Sequence, residues 1–488
     1  MKHLAGIRVF LAVGLLFCLL SGAEAADPLD QDGGDVNLSE VKAFDLLCRC
    51  ETGCIVNAVS ISSTGEYLAA GGFDQNVSFF NSKGTQLWNY KTGDIVYTVS
   101  ISSDGSRVAA GSNDKKVYLF NREGDLLWSR RTGGNINSVA VSSDGMYIAV
   151  GSEDGKIYFL NREGKLLWSF DSEGAIRSVA ISRDGAYVAA GNANNYVCLL
   201  DGEGKTIWRR KTGSLINSVS MTPYAHHVAA GGSNYNVYLF DRKGEFSWIK
   251  NPGYWVSSVS LTTNGSHLAA GSFDNKIYLF NLTGAKLWDY QVKDDVYTVE
   301  ISPDSSFIAA GSWDDNLYVL NMTGGELGNY NCGGNINSLD VSRDSSTIAV
   351  GSDAGAVYLF ERNSTAFAIL LGDESFLPKE TTRETDAATA VEVITPIEED
   401  TASTGGVENR VEDAPAISSS VDGNTKTGEK SSKLLEIFDS VKFPMALLIG
   451  ALACTVFFLR RRILKQKEMN EILEEFENLD ENDTSENN

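Results

Sequence analysis

Aromatic and acidic side chains form the clearest candidate binding site in this sequence of 488 residues. They fall in two short stretches of chain and are Tyr254, Trp255, Phe273, Asp294, Asp295, Tyr297 and Trp313. Exposed aromatic rings supply much of the binding energy at interfaces, because they bury a large apolar surface and keep a polar edge. Carboxylates beside them add hydrogen bonds or a cation site. The pattern predicts a site for a protein or glycan ligand.

Groups that usually perform catalysis are scarce. The sequence has four histidines and no HExxH, P-loop or CxxC motif. His227 and His267 lie 40 residues apart, where other copies of a repeat have Arg or Tyr, which favours a structural role at a strand edge. We therefore predict a protein that is not an enzyme and that holds no cofactor or metal.

A repeat of 40 residues fills the middle of the chain and must position these side chains. Its first column ends an AAG or AVG triplet at Gly71, Gly111, Gly151, Gly191, Gly231, Gly271, Gly311 and Gly351. Its second column is Trp88, Trp128, Trp168, Trp208, Trp248 and Trp288, with Gly328 next. Its third column is Tyr118, Tyr158, Tyr238, Tyr278, Tyr318 and Tyr358. Three columns in one register indicate eight copies.

One copy, residues 136–170, contains four short strand patterns separated by Asp-Gly and Gly turns. Four strands in a repeat of this length are typical of a propeller blade. The sequence therefore predicts an all-β fold, an eight-bladed β-propeller of four-stranded antiparallel blades over residues 41–362.

The ring closes with a strand from the N-terminus. The eighth copy ends after Phe360 without its last strand, and a shift of 40 residues places Cys48 in the Trp column. Residues 44–50 are therefore predicted to form the outer strand of blade eight, which removes an exposed sheet edge.

The candidate site residues are predicted to meet on one face of blades six and seven. In a four-stranded antiparallel blade, the connections from strand four to the next blade and from strand two to strand three share a face. Trp255 and Trp313 belong to these connections, and Phe73 has the matching position on blade one. Local turn packing or stacking at the ring entrance is the alternative explanation for the rings.

Two families resemble these repeats. Residues 101–120 and 301–314 resemble the WD-repeat family, although its Gly-His and Trp-Asp pairs are absent. The resemblance carries over only the turn aspartates Asp114, Asp154, Asp274 and Asp314. The segments YLFNREGDLLW (118–128) and YFLNREGKLLW (158–168) resemble the tryptophan-docking motif of quinoprotein-type, PQQ-like propellers. That resemblance implies eight blades, each locked to its neighbour by an indole.

The quinone cofactor of those enzymes is not expected here. The chain has no adjacent cysteines, and the repeat has no insertion that could build a cofactor pocket. An oxidoreductase of quinoprotein type remains an alternative on fold alone.

The two ends of the chain predict a membrane protein. Residues 1–25 have the pattern of a signal peptide, and residues 26–40 form an acidic leader. A Thr, Ser and Glu-rich stretch at 363–432 predicts a disordered stalk. An apolar run at 443–459 precedes an arginine cluster, which predicts a single transmembrane helix with the 460–488 tail in the cytoplasm. The net charge of −23 argues against nucleic-acid binding.

Cysteines and glycosylation motifs fit an exported domain. Cys54 could pair with Cys332 or with Cys50, or the thiols could stay free, because pairing does not follow from sequence. The part predicted to be exported has six Asn-x-Ser/Thr motifs, which predict a glycoprotein and begin at Asn37, Asn76, Asn264, Asn281, Asn321 and Asn363.

These features together predict a scaffold at the cell surface. The propeller would bind a protein or glycan outside the cell membrane while a single span anchors it. An envelope-assembly or signalling component that acts through the tail is the further alternative.

Overall fold

The computed structural model describes residues 41–372. The predicted signal peptide, acidic leader, transmembrane segment and tail lie outside the described residues, as does the stalk beyond residue 372. No helix within the described range is long and apolar enough to cross a membrane.

Thirty-two strands in eight four-stranded sheets make up the described chain. Blades 1 and 2 consist of β2 (Val56–Ile61), β3 (Tyr67–Gly72), β4 (Asn76–Asn81), β5 (Gln86–Lys91), β6 (Val96–Ile101), β7 (Arg107–Ser112), β8 (Lys116–Asn121) and β9 (Leu126–Arg131). Blades 3 and 4 consist of β10 (Ile136–Val141), β11 (Tyr147–Ser152), β12 (Lys156–Asn161), β13 (Leu166–Asp171), β14 (Ile176–Ile181), β15 (Tyr187–Asn192), β16 (Tyr196–Asp201) and β17 (Thr206–Lys211).

The second half of the ring repeats the same order. Blades 5 and 6 consist of β18 (Ile216–Met221), β19 (His227–Gly232), β20 (Val237–Asp241), β21 (Phe246–Lys250), β22 (Val256–Leu261), β23 (His267–Ser272), β24 (Lys276–Asn281) and β25 (Lys286–Gln291). Blades 7 and 8 consist of β26 (Val296–Ile301), β27 (Phe307–Ser312), β28 (Asn316–Asn321), β29 (Glu326–Asn331), β30 (Ile336–Val341), β31 (Thr347–Ser352), β32 (Ala356–Arg362) and β1 (Phe44–Glu51).

The predicted propeller is confirmed. The strands of blades 1 to 7 pair antiparallel in chain order, and β1 pairs with β32 at the outer edge of blade 8. The innermost strand of each blade contacts that of the next. The contact between β2 and β30 joins the last blade to the first, so the ring is closed.

The glycine column marks the close approach of neighbouring blades. A Cβ atom on Gly111 would lie 2.3 Å from Cγ2 of Ile136, which belongs to the next blade. Its neighbours Ala109 and Ala110 are fully buried. Small residues are therefore needed where one sheet packs face to face on another.

The tryptophan column joins each of blades 1 to 6 to the next blade. The indole nitrogen of Trp168 donates a hydrogen bond of 2.9 Å to the carbonyl of Gly202 in the next blade. The ring stacks on Phe159 within its own blade and covers Gly204, where a Cβ would lie 2.7 Å from Cγ of the indole. All six indoles of the column make the equivalent hydrogen bond. This is the docking that the quinoprotein resemblance implied.

The N-terminal strand closes blade 8 as predicted. β1 pairs antiparallel with β32, with a bulge at Leu47. Cys48 and Cys50 replace the missing indole, their sulfur atoms 3.3 Å apart and both against Gly84. Burial, followed by the neighbouring Cys48, raises the pKa of Cys50 to about 12. Cys50 and Cys332 are free thiols, so neither bridge that the sequence allowed is formed within the described residues.

The junction between blades 7 and 8 uses a different lock, because Gly328 stands where the seventh tryptophan would be. The chain continues from blade 8 into a short helix α1 (Ser364–Leu370), although the sequence assigned residues from 363 onward to the stalk. Phe367 of α1 is buried against Phe44, at 6.2 Å between ring centroids, and against Phe307. Phe44 and Phe367, from the two ends of the propeller, thus pack with Phe307 of blade 7, while the ring of Tyr330 lies against Gly328.

Hydroxyl groups tie the innermost strands together around the axis. Ser100 accepts a hydrogen bond from the backbone N–H of Val141, one blade on, and Ser60, Ser220 and Ser260 make the equivalent bond. Blades 3 and 4 have Ala140 and Ala180 at this position and therefore lack the hydroxyl. At the last two places of the ring, the hydroxyl is replaced by the carboxyl groups of Glu300 and Asp340. Glu300 accepts from the N–H of Val341, and Asp340 accepts from Ile61 across the closure.

Candidate binding face

The predicted site residues lie on one face of blades 6 and 7, which we call the aromatic face. It carries the loops that lead into each innermost strand and the turns between the second and third strands. Tyr254 and Trp255 precede β22, and Phe273 follows β23. The same connections of blade 7 hold Asp294, Asp295 and Trp313, while Tyr297 is the second residue of β26.

The aromatic rings form one continuous series of stacked and tilted contacts. Centroids of Tyr254 and Trp255 are 5.8 Å apart, and Trp255 is 6.2 Å from Phe273. Phe273 is 5.6 Å from Trp313 and 6.4 Å from Tyr297. These separations are those of favourable aromatic pairs. The structure therefore brings all five predicted aromatic residues together.

A sixth ring, which the sequence analysis missed, extends the series onto blade 5. Tyr235 stacks on Tyr254 at 5.2 Å with nearly parallel planes, and 37% of its surface is exposed. It occupies a turn position with φ of 67°, where other blades have Gly, Asn, Asp, Gln or Lys. The signal that could have revealed Tyr235 in the sequence was an aromatic residue at a turn position with a left-handed backbone conformation.

The backbone holds the loops and turns of this face together. The N–H of Phe273 donates to the carbonyl of Trp255, and the N–H of Trp313 donates to that of Asp295, both at 2.9 Å. Other blades repeat this bond with different side chains, for example from Asn113 to Ile95. A rigid and repeated scaffold thus presents the aromatic rings.

Carboxylates border the series on blade 7. Asp294 is exposed, and its side chain accepts the N–H of Asp295 at 2.8 Å. Burial raises the pKa of Tyr254, and nearby Tyr235 and Asp295 add to the shift, so the phenol stays neutral and can donate. The site thus offers apolar stacking surface with negative charge at one edge. Among residues 41–372, no group of three or more His, Cys, Asp or Glu side chains could hold a metal ion.

The turn aspartates have a structural role. Asp154 accepts the hydroxyl of Tyr158 at 2.6 Å and the N–H of Gly133 at 2.7 Å. Burial alone would raise the pKa of Asp154, but these hydrogen bonds lower it. Burial and the same bond raise the pKa of Tyr158 to about 12. The Asp and Tyr columns are thus hydrogen-bonded to each other, and the same pair occurs at Asp114, Asp274 and Asp314.

The histidines also serve the strands. The backbone N–H groups of His227 and His267 donate hydrogen bonds of 3.0 Å to the hydroxyls of Thr222 and Thr262. Each histidine is the first residue of the second strand in its blade. Burial, followed by the charge of His226, lowers the pKa of His227.

Comparison with known families identifies the repeat. The family model described as "Outer membrane protein assembly factor BamB" matches residues 73–244 and 153–368. The two matches together cover more than half of the chain. The chain belongs to this family. The BamB-like match runs from blade 1 to α1, so it includes the aromatic face. The model described as "WD domain, G-beta repeat" matches residues 46–81, which span the closing strand and most of blade 1.

Solved structures share the fold of this BamB-like propeller. The crystal structure of Chaetomium thermophilum Sqt1, bound to the N-terminus of the ribosomal protein L10, is 17% identical with a TM-score of 0.59. The match covers 65% of this chain and 100% of that one. The computationally designed Ika8 protein is 16% identical with a TM-score of 0.56, over 64% of this chain and 97% of that one. No curated protein matches the chain.

Proposed function

We propose that this BamB-like propeller is a non-enzymatic scaffold, anchored in the cell membrane, that binds a segment of a partner protein on its aromatic face. The observation that carries the proposal is the six-ring series from Tyr235 to Trp313, bordered by the exposed Asp294. A stacked surface of this kind suits apolar and cationic side chains, since cations are attracted to aromatic faces. The ligand is therefore an extended segment with basic and apolar residues.

The comparisons support a protein ligand. The family model is named after an assembly factor, and assembly requires contact with other proteins. Sqt1, which has the same fold, was crystallised with the N-terminus of a protein. These likenesses favour a peptide segment over a glycan, and they extend the proposal to assembly of surface or envelope proteins.

Membrane anchoring rests on the sequence. The apolar run at 443–459 and the following Arg460, Arg461 and Arg462 predict that the propeller lies outside the membrane and the tail inside.

The test compares captures from native membranes by full-length wild-type protein and by the double variant Trp255→Ala, Trp313→Ala after crosslinking. A matched control is Phe246→Ala, which removes an aromatic ring that is 42% exposed on an outer strand. We expect a partner protein that wild type and the control retain and the double variant loses. Equal capture by all three proteins would reject the aromatic face as the binding site. If the double variant loses only a captured glycan, the ligand is a glycan and not a protein.

A further inference from the structure

The face opposite the aromatic face carries a backbone collar around the propeller axis. Each loop after an innermost strand contributes one residue to this collar, and these are Ser63, Ser103, Ser143, Arg183, Pro223, Thr263, Pro303 and Arg343. Backbone hydrogen bonds link the first five of them in chain order. The N–H of Ser63 donates to the carbonyl of Ser103 at 2.9 Å, and Ser103 continues to Ser143 at 3.1 Å. Ser143 bonds to Arg183 in the same way. The collar side chains therefore surround the mouth of the central channel.

Two arginines interrupt the small side chains of this collar. Arg183 belongs to blade 4 and Arg343 to blade 8, so they start from opposite sides of an eight-bladed ring. The guanidinium of Arg343 crosses the mouth and donates 3.2 Å hydrogen bonds to the hydroxyls of Ser103 and Ser143, on blades 2 and 3. It therefore lies over the axis, beside the loop of Arg183.

Their charges are not balanced by nearby carboxylates. Within residues 41–372, neither Arg183 nor Arg343 forms an ion pair, whereas several other arginines do. Burial, followed by the positive charge of Arg183, lowers the pKa of Arg343. Two like charges that converge repel each other, and an anion between them would offset that repulsion.

We propose that Arg183 and Arg343 form an oxyanion-binding site on the propeller axis, with Ser103, Ser143 and Tyr224 as further donors. The serine hydroxyls accept from Arg343, so their own hydrogens are available to a ligand oxygen. Arg183 is exposed, and Tyr224 beside it is 52% exposed. Guanidinium groups match carboxylate and phosphate oxygens in geometry and charge. The ligand is a phosphate or the carboxylate of an acidic peptide.

This site is separate from the aromatic face. Arg177 lies at the start of β14 and Arg183 just after its end, which puts about 20 Å of strand between them. Arg177 is exposed at the other mouth of the same channel. It is a matched control, because it has the same charge on the same strand.

The test measures binding of inorganic phosphate and of a hexaglutamate peptide to the full-length protein by calorimetry, at constant ionic strength. The variants are Arg343→Gln, Arg183→Gln and Arg177→Gln. We expect at least one probe to bind, with affinity reduced ten-fold or more in the first two variants and unchanged in Arg177→Gln. Which probe binds distinguishes a free phosphate from an acidic peptide.

Two outcomes would overturn the site. One is the absence of binding by both probes at millimolar concentration. The other is an equal loss in all three variants, which would indicate non-specific attraction to positive charge. Arg183→Gln keeps the test valid if Arg343→Gln fails to fold, because the Arg183 side chain has no hydrogen bond within the described residues. Loss of partner capture in the aromatic variants would not affect this result.

Discussion

The rings of Phe273 and Trp313 lie 5.6 Å apart, although one belongs to blade 6 and the other to blade 7. A turn residue that served only its own blade would have no need to reach the next one. Each ring also contacts a further member of the series, Trp255 or Tyr297. The aromatic face is therefore one surface built across blades, which suits an extended ligand.

Two kinds of tryptophan should respond differently to truncation. Trp208 is 3% exposed and docks blade 4 onto blade 5, so Trp208→Ala should lower the free energy of unfolding by about 3–5 kcal/mol. Trp313 is only partly buried, so Trp313→Ala should cost about 1 kcal/mol, mainly from lost ring contacts. Denaturant unfolding of the full-length variants measures both. Equal losses would mean that Trp313 is a packing residue.

The carboxyl pair in the channel should make stability depend on pH. Burial raises the pKa of Asp340 to about 6, and burial together with the charge of Asp340 raises the pKa of Glu300 well above its usual range. Because the pKa of each carboxyl group is higher in the folded protein than in the unfolded chain, the unfolded chain loses these protons at a lower pH. The free energy of unfolding therefore falls as the pH rises from about 4 through 6. Glu300→Gln removes one of the two charges. We expect this variant to gain about 1–3 kcal/mol over wild type between pH 4 and pH 8.

The pH experiment has a simple control. Glu123→Gln changes an exposed carboxylate in a surface turn and should leave the difference from wild type flat across the same range. Unfolding curves at pH 4.5, 6 and 7.5 suffice. A flat difference for Glu300→Gln as well would show that the pair does not share a raised pKa.

The closing strand should matter more than its length suggests. Deletion of residues 41–50 removes the buried Phe44 and exposes the edge of β32, so the midpoint of thermal unfolding should fall by about 10 °C or more. Leu47→Ser changes the exposed bulge residue of the same strand and should have little effect. An unchanged midpoint after the deletion would mean that the ring does not depend on β1.

The glycine column predicts a coupling between two blades. Gly111→Ala would place a methyl group 2.3 Å from Cγ2 of Ile136 and should destabilise by about 1–3 kcal/mol. Ile136→Ala makes room for that methyl group, so the double variant should be more stable than the sum of the single effects by about 1 kcal/mol. The combination of Gly111→Ala with Ile176→Ala, one blade further, should be additive. Additivity in both pairs would reject the close approach.

The sequence predicted the ring, its closure and the aromatic cluster because all three follow from the period of 40 residues. A fixed period assigns each residue to a strand and each turn to a face, so Trp255 and Trp313 could be placed together without coordinates. The Asp and Tyr columns were both visible, but their pairing depends on side-chain direction. Asp154 and Tyr158 meet because one ends a turn and the other follows it in the adjacent strand.

Features that break the repeat were harder to predict. Helix α1 is only seven residues long and lies at the start of the range assigned to the stalk, and its buried residue is Phe367. Glu300 and Arg343 occupy positions that are serine in four and three of the other copies, and their roles arise from convergence on the axis. The period of the repeat does not show which side chains from different blades come together at the axis of the propeller.

The most direct test of the central claim is site-specific photo-crosslinking in native membranes. A photo-reactive phenylalanine analogue replaces Tyr254 or Tyr297 on the aromatic face, or Leu127 as a control that is 42% exposed on an outer strand. The account predicts that both aromatic positions crosslink to the same partner protein, that Leu127 does not, and that Trp313→Ala abolishes the product. Crosslinks of equal yield from Leu127, or none from Tyr254 and Tyr297, would contradict it.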